Sequence, residues 1–494
     1  MAIATLTFEE FAPDQAPLGS AYSPSVKNVL PIGKGYRSWS SLATQTDALT
    51  QRVQGFIATA GDDGLPYNIA AVADKIFRRS GASWTNISGQ TYSTASDSVV
   101  AFQKWGNEVI ASNFVDTMQV ATISSGSFAA LGGQHAPRAK YLATMGRQGQ
   151  FLIAAYLSDG GTTYPRRVQW PGIGSATTWT ASAATQADSQ DIENCSEIRG
   201  LAGFDYLVIG TDRGLWRADY VGPPVIMDFS EMEKGRGIMY PGLMASWGRL
   251  VFYLWEDGFY LFDGTAVSAI GAEKVNRFFF NDVDVGYLDR VRIAPDPVNS
   301  CFVVAYPGRG ASAGALTKLL AWSWTVNRWV PAEPTTPLEH LALGLTVGYT
   351  LSELDGISAT LAGLPYPLGS RNYAGGRPGL TGFDNTHKLG LFAGAAMIGQ
   401  MDTAEKQLSA GQRSLIQQLR PLIDGSAPSD VSAQIIGRAL QSSTRTTGAE
   451  ITQAADGLIS PLDDNRYHAI RLKTYGNFDY ALGAEVEFMA TGSF

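Results

Sequence analysis

The chain has 494 residues, 17% of them charged, with 54 glycines, 11% aromatics and a net charge of −8. That length can bury more than one core, and the composition fits many short strands joined by tight turns rather than a helical or disordered chain. The acidic balance disfavours non-specific grip on nucleic acid through a basic face, and the two cysteines, Cys195 and Cys301, are too few for a disulfide framework. The first residues, MAIATLTFEEFAPDQ, lack the basic-then-apolar pattern of a signal peptide, and no apolar run approaches the ~20 residues of a membrane span.

Residues 1–50 read as an extended arm. Pro13, Pro17, Pro24 and Pro31 break it, and Phe8, Phe11, Tyr22, Tyr36 and Trp39 are its anchors. Such a stretch cannot bury enough surface to fold alone, so it is either loose or laid on a neighbour.

A repeat begins near Gly55. Its first copy turns at Asp62-Asp63-Gly64 and ends on Trp84; the second turns at Gly106-Asn107 and ends on Phe128. The third turns at Gln148-Gly149 and Asp159-Gly160-Gly161 and closes on Trp179; the fourth turns at Asp212-Arg213-Gly214 and ends on Phe229. These closing aromatics fall about 45–50 residues apart, the period of four-stranded propeller blades. The fifth copy is the clearest. Met244–Trp247, Leu250–Trp255 and Phe259–Phe262 are apolar runs separated by Gly248-Arg249 and Asp257-Gly258, too short for helices and rich in strand-forming residues. A sixth copy runs from Val291 to Trp329. The copies share no fixed dipeptide. A propeller of six or seven blades over residues 51–335 is the expected architecture, with a run of β-sandwiches as its rival.

Beyond Glu333 the pattern changes. Residues 336–388 read as a connector or partial blade, with a short helix possible at Leu351–Leu354. Residues 389–494 return to strand-like runs, expected to form an antiparallel β-sandwich. In Tyr467–Leu472 the alternation puts His468, Ile470 and Leu472 on one face. For Ala404–Asp424, periodicity does not choose between helix and strand.

The candidate chemistry is thin. Gly310-Ala311-Ser312-Ala313-Gly314 matches a nucleophile-elbow pattern, but it lies in a Gly/Ala-rich link followed by a strand-like run, where a hairpin loop is expected. Ser158-Asp159-Gly160-Gly161 resembles the turn-pinning box of sialidase-like propellers, and a plain hairpin accounts for it. His135, His340, His387 and His468 have no partner at metal-ligand spacing. The carboxylate pairs Asp62-Asp63, Asp282/Asp284 and Asp463-Asp464 sit beside turn residues, where aspartate serves its own local hydrogen bonds. Phe278-Phe279-Phe280 cannot all face one core from a strand, so either a bend buries them or Phe279 meets a partner.

Several separated pieces resemble the β-propeller tail-hub or nozzle proteins of tailed bacteriophages, the packaged-DNA stabilisation group. In the arm these are Asn28-Val29-Leu30-Pro31 and Gly35-Tyr36-Arg37. After the repeats come Gly348–Asp355 and Ser370–Gly376. Near the end come Arg420-Pro421-Leu422-Ile423-Asp424-Gly425, Asn465-Arg466-Tyr467-His468 and Gly476–Glu487. They bracket the chain in order. The resemblance implies a structural virion protein, made in the host bacterial cytoplasm, with no enzymatic activity and no catalytic, cofactor-binding or metal residues. It implies a homo-oligomeric, six-fold ring below the portal and head–tail adaptor, in contact with tail fibre or spike proteins. That ring would retain the packaged genome and pass its DNA at ejection without sequence-specific contacts. An acidic chain suits such a channel, since each phosphate neutralised adds grip. The alternative is a glycan-binding or glycan-cleaving propeller at a tail tip.

Overall fold

The structure is a computed structural model. It describes the whole chain except residues 1, 17–20, 97, 347, 349–353, 356, 366, 370–372, 374 and 494. The helix expected at Leu351–Leu354 falls largely outside the described residues, as does most of Gly348–Asp355.

The described residues hold seven four-stranded antiparallel sheets. The first comprises Gly55–Ala60, Pro66–Ala71, Ile76–Ser80 and Ser83–Asn86. The next five begin at Ala101–Trp105, Arg138–Met145, Ile198–Gly203, Met244–Trp247 and Arg292–Asp296, and each meanders outward in chain order. The seventh is composite: Leu338–Leu345, Pro378–Asp384 and Lys388–Ala396 are joined on their outer side by Ser40–Ala48. The leading strands pack against one another in sequence, and that of the seventh sheet returns to that of the first. The result is an all-β architecture of four-stranded meanders in a closed cycle, as in β-propellers.

Stacking sheets face to face explains the sequence pattern. In the fifth sheet Val251, Phe252, Tyr253 and Leu254 are all fully buried, and so is every residue from Cys301 to Tyr306 in the sixth. A strand covered on both faces needs no polar side, hence the continuous apolar runs. The turn at Gly248-Arg249 puts Gly248 at φ 57° with nothing near its missing Cβ. Between these two sheets Phe252 stacks on Phe302 at 5.2 Å and Phe259 meets Trp329 at 4.9 Å.

The two ends of the chain build two further sheets of six strands. One runs in the order Asp463–Asn465, Gln412–Asp424, Tyr480–Ser493, Gly35–Ser38, Val29–Ile32, with Ala2–Thr7 also on Tyr480–Ser493. The other runs Thr446–Thr447, Val431–Arg438, Tyr467–Thr474, Gly399–Asp402, Val26–Lys27, with Ile451–Thr452 on Val431–Arg438. Leu6, Tyr36 and Val486 of the first share one core with Ile435, Ile470 and Leu472 of the second. The arm is therefore laid down as strands, and it also packs on Arg328–Ala332, the outer strand of the sixth sheet.

The sheets cross the divisions expected at 50 and 388, because the seventh takes strands from both sides of each. Two local expectations resolve in one direction. Residues Gln412–Asp424 are a strand. The run Asn276–Asp282 is a short helix that buries Phe279 and leaves Phe278 and Phe280 half-buried, with Phe278 edge-on to Phe11 at 5.5 Å.

Candidate functional site

The motifs weighed for chemistry fall into local structural roles. Ser312 lies in a single tight turn between Cys301–Tyr306 and Lys318–Ser323, with no helix leaving it, so no nucleophile elbow forms. Asp159 ends a strand at a hairpin with Gly160-Gly161. Asp63 accepts from the Leu65 amide and the Tyr67 hydroxyl, Asp284 from the Gly286 amide, and Asp282 from the Tyr306 hydroxyl. The fully buried His468 lies 3.2 Å from Asp463 through Nδ1 and donates from Nε2 to the Asn465 carbonyl at 2.9 Å. Among the described residues no group of three or more potential metal ligands converges.

The closed cycle does bring together a set of charged residues that lie far apart in sequence. Arg292 opens the leading strand of the sixth sheet, Glu339 and His340 stand near the start of that of the seventh, and Arg52 lies just before that of the first. These three strands are consecutive in the cycle, the Val53 amide reaches Glu339, and Arg52 and Arg292 act electrostatically on each other and on His340, so the four residues gather at one mouth of it. Arg290 and Asp289 precede Arg292 and pair with each other at 3.1 Å. Glu339 accepts from the Val53 amide at 3.1 Å and faces His387 Nδ1 at 2.6 Å. Burial raises the Glu339 carboxyl despite those two partners.

Arg292 and His340 are each only 7% exposed. Arg292 donates from Nη1 to the carbonyls of Asp289 (2.6 Å) and Val291 (2.8 Å), while its Nε has no partner. Burial, with repulsion from Arg52, lowers its pKa to about 10. His340 rests edge-on to Phe383 at 6.4 Å, and its Nδ1 is buried without a partner. Burial, then Arg292 and Arg52, holds the imidazole well below its usual range, so it is neutral. Sequence reading noted His340 alone, and nothing in the sequence ties residues 52, 292 and 340 together.

A second feature is the seam between arm and sixth sheet, an open groove of ≈ 830 Å³ among the described residues, lined in part by Phe11, Asp14, Lys27, Arg277, Lys318 and Glu333. Glu333 is gripped from both sides, by Lys27 of the arm and by Lys318 at 2.5 Å. Asp14 accepts from the amides of Arg277 (2.8 Å) and Phe278 (2.9 Å) at the start of the short helix.

A closed cycle of four-stranded meanders is the architecture of β-propellers. No protein-family model and no curated relative matches the sequence. Among solved structures, the chain is similar to the Myceliophteria thermophila Cps50 (Swd1) β-propeller domain, at 8% identity and TM-score 0.41 over 71% of this chain and 98% of that one. It is also similar to BamB from Moraxella catarrhalis (11% identity, TM-score 0.37, 79% and 97% covered). The computationally designed Ika8 protein gives 10% identity and TM-score 0.39, with 72% and 99% covered.

Proposed function

We propose that the protein is a structural subunit of a bacteriophage tail, a nozzle or hub component that assembles into a ring. In this reading the seven four-stranded sheets are the blades of one propeller, and the two six-stranded sheets form a β-sandwich docked on the sixth blade. The ring sits below the portal and adaptor, contacts fibre or spike proteins, and bounds the channel that retains and releases the genome.

One observation carries it. The pieces that resemble the tail-hub group come from opposite ends of the chain, yet Val29–Ile32, Gly35–Ser38, Gln412–Asp424 and Tyr480–Ser493 lie in one sheet. Tyr36 pairs with Ala481, Asp424 with Tyr480, and Arg420 with Glu485. Segments that resemble one family in order and also share hydrogen bonds support the reading of them as one structural unit. The seam adds the means to present that unit to neighbouring subunits, since Lys27–Glu333–Lys318 fixes its angle to the sixth sheet.

Size-exclusion chromatography with light scattering, followed by negative-stain imaging of the purified chain, tests the reading. A closed ring of several subunits is expected, stable to dilution or completed on adding the adaptor. A particle that remains a monomer with the adaptor present, or that degrades a polysaccharide, overturns it in favour of a glycan-directed propeller.

A further inference from the structure

The donors at the mouth of the cycle have two carboxylates near them, Asp289 and Glu339, and both of these are engaged elsewhere. Arg290 is matched by Asp289, and Glu339 is already engaged by Val53 and His387. Arg52 donates to the carbonyls of Ser96 (2.6 Å) and Val53 (3.4 Å), and Arg292 to two carbonyls; neither forms an ion pair with a carboxylate among the described residues. A guanidinium removed from water costs several kcal/mol unless a negative group and full hydrogen bonding compensate it. Arg292 is buried with the Asp289 carboxylate near it but without an ion pair, and its Nε is idle. Beside it, His340 offers a second idle buried nitrogen, which in the Nδ1–H tautomer is a donor. Half-buried Arg52 supplies a cation at the rim.

We propose that the mouth formed by Arg52, Arg292 and His340 binds a small tetrahedral oxyanion of the phosphate or sulfate class. Such an ion takes several charge-assisted hydrogen bonds at once and fits guanidinium donors directed from different strands. The neutral imidazole adds a directional bond without a competing charge. The site lies within one propeller and is independent of the assembly reading: a monomer in solution leaves it standing.

Thermal unfolding of the full chain in rising inorganic phosphate, with chloride at matched ionic strength as reference, tests it. A ligand that binds only the folded state raises the midpoint in a saturable way. Phosphate and sulfate are expected to do so, and acetate is not. In Arg52→Gln and His340→Leu, which each keep Arg292 and remove one donor, half-saturation is expected to move by about tenfold or more, the loss of one charge-assisted bond. A response no larger than that to chloride, an equal response to acetate, or unchanged half-saturation in both variants overturns the proposal. Arg292→Gln, if it folds, is expected to abolish the response.

Discussion

Arg328 donates from Nη2 to the hydroxyl of Tyr36 at 2.9 Å, with its guanidinium carbon 4.6 Å from the centre of the same ring. Both side chains are buried, and both reach the Glu9 carbonyl, Tyr36 at 2.7 Å and Arg328 at 2.7 Å. Arg328 belongs to the outer strand of the sixth sheet and Tyr36 to the sheet made by the chain ends, so this contact joins the two bodies. Burial pushes the phenol up to about 12, with Arg328 opposing, so the hydroxyl keeps its proton for Glu9. Tyr36→Phe should cost about 1–3 kcal/mol, the penalty for stranding buried partners. Arg328→Met and the double variant complete a cycle by denaturant unfolding. Strict additivity of the two single changes would mean that the seam does not depend on this pair.

The seventh sheet is closed by a strand from the other end of the chain. There Thr46 Oγ1, buried, accepts from the Leu389 amide at 3.0 Å. Thr46→Val keeps the shape and strands that amide, so it should lower stability by about 1–2 kcal/mol. Thr50→Val, at an exposed position just past the strand, should stay within about 0.5 kcal/mol. Light scattering during the melt should show earlier aggregation for Thr46→Val, as an opened sheet edge pairs with other chains.

Glu450 accepts from Lys473 at 2.5 Å, from Ser432 at 2.6 Å and from Tyr475, and these bonds, Lys473 first, hold its pKa at about 2 against a usual 4.5. The folded state thus binds this proton less readily than the unfolded state. The stabilisation is complete above the unfolded value and is lost as pH falls through 4.5 towards 2. Glu450→Gln should flatten the acid limb of the stability curve in that window. Salt should shrink the difference, since the group is partly exposed. An acid limb that superimposes on wild type would show that Glu450 is not a source of it.

Neither thiol is poised to react. Burial, then Asp296, holds Cys301 well above the ordinary thiol range, and burial with Asp212 raises Cys195 to about 11. Iodoacetamide at about pH 8 should therefore modify both only slowly in the folded chain, with Cys301 labelled in step with unfolding. Mass spectrometry across a denaturant series follows each site. Rapid native labelling of Cys301 would contradict its burial.

Much of the repeat was legible because its signals are local. Gly248-Arg249 and Asp257-Gly258 mark turns by their own conformational preferences, and the runs between them became Leu250–Trp255 and Gly258–Phe262. The stretch Gln412–Asp424 was ambiguous for a physical reason. A register shift between Ile416 and Gln418 lets Ile416 and Leu419, three residues apart, face the same core, which imitates helical spacing inside a strand. Phe278-Phe279-Phe280 misled in the opposite sense: one helical turn separates the three rings around its axis, which a strand does not.

By itself the sequence determined where the meanders lie and which residues turn them, because these follow from neighbouring residues. Only the tertiary structure decided that Ser40–Ala48 closes the seventh sheet, that Tyr36 and Ala481 share a sheet, and that Arg52, Arg292 and His340 meet at one mouth. Ring closure and strand pairing across hundreds of residues leave no mark in a local pattern. They are chosen by which edges and faces remain uncovered once every local strand has formed.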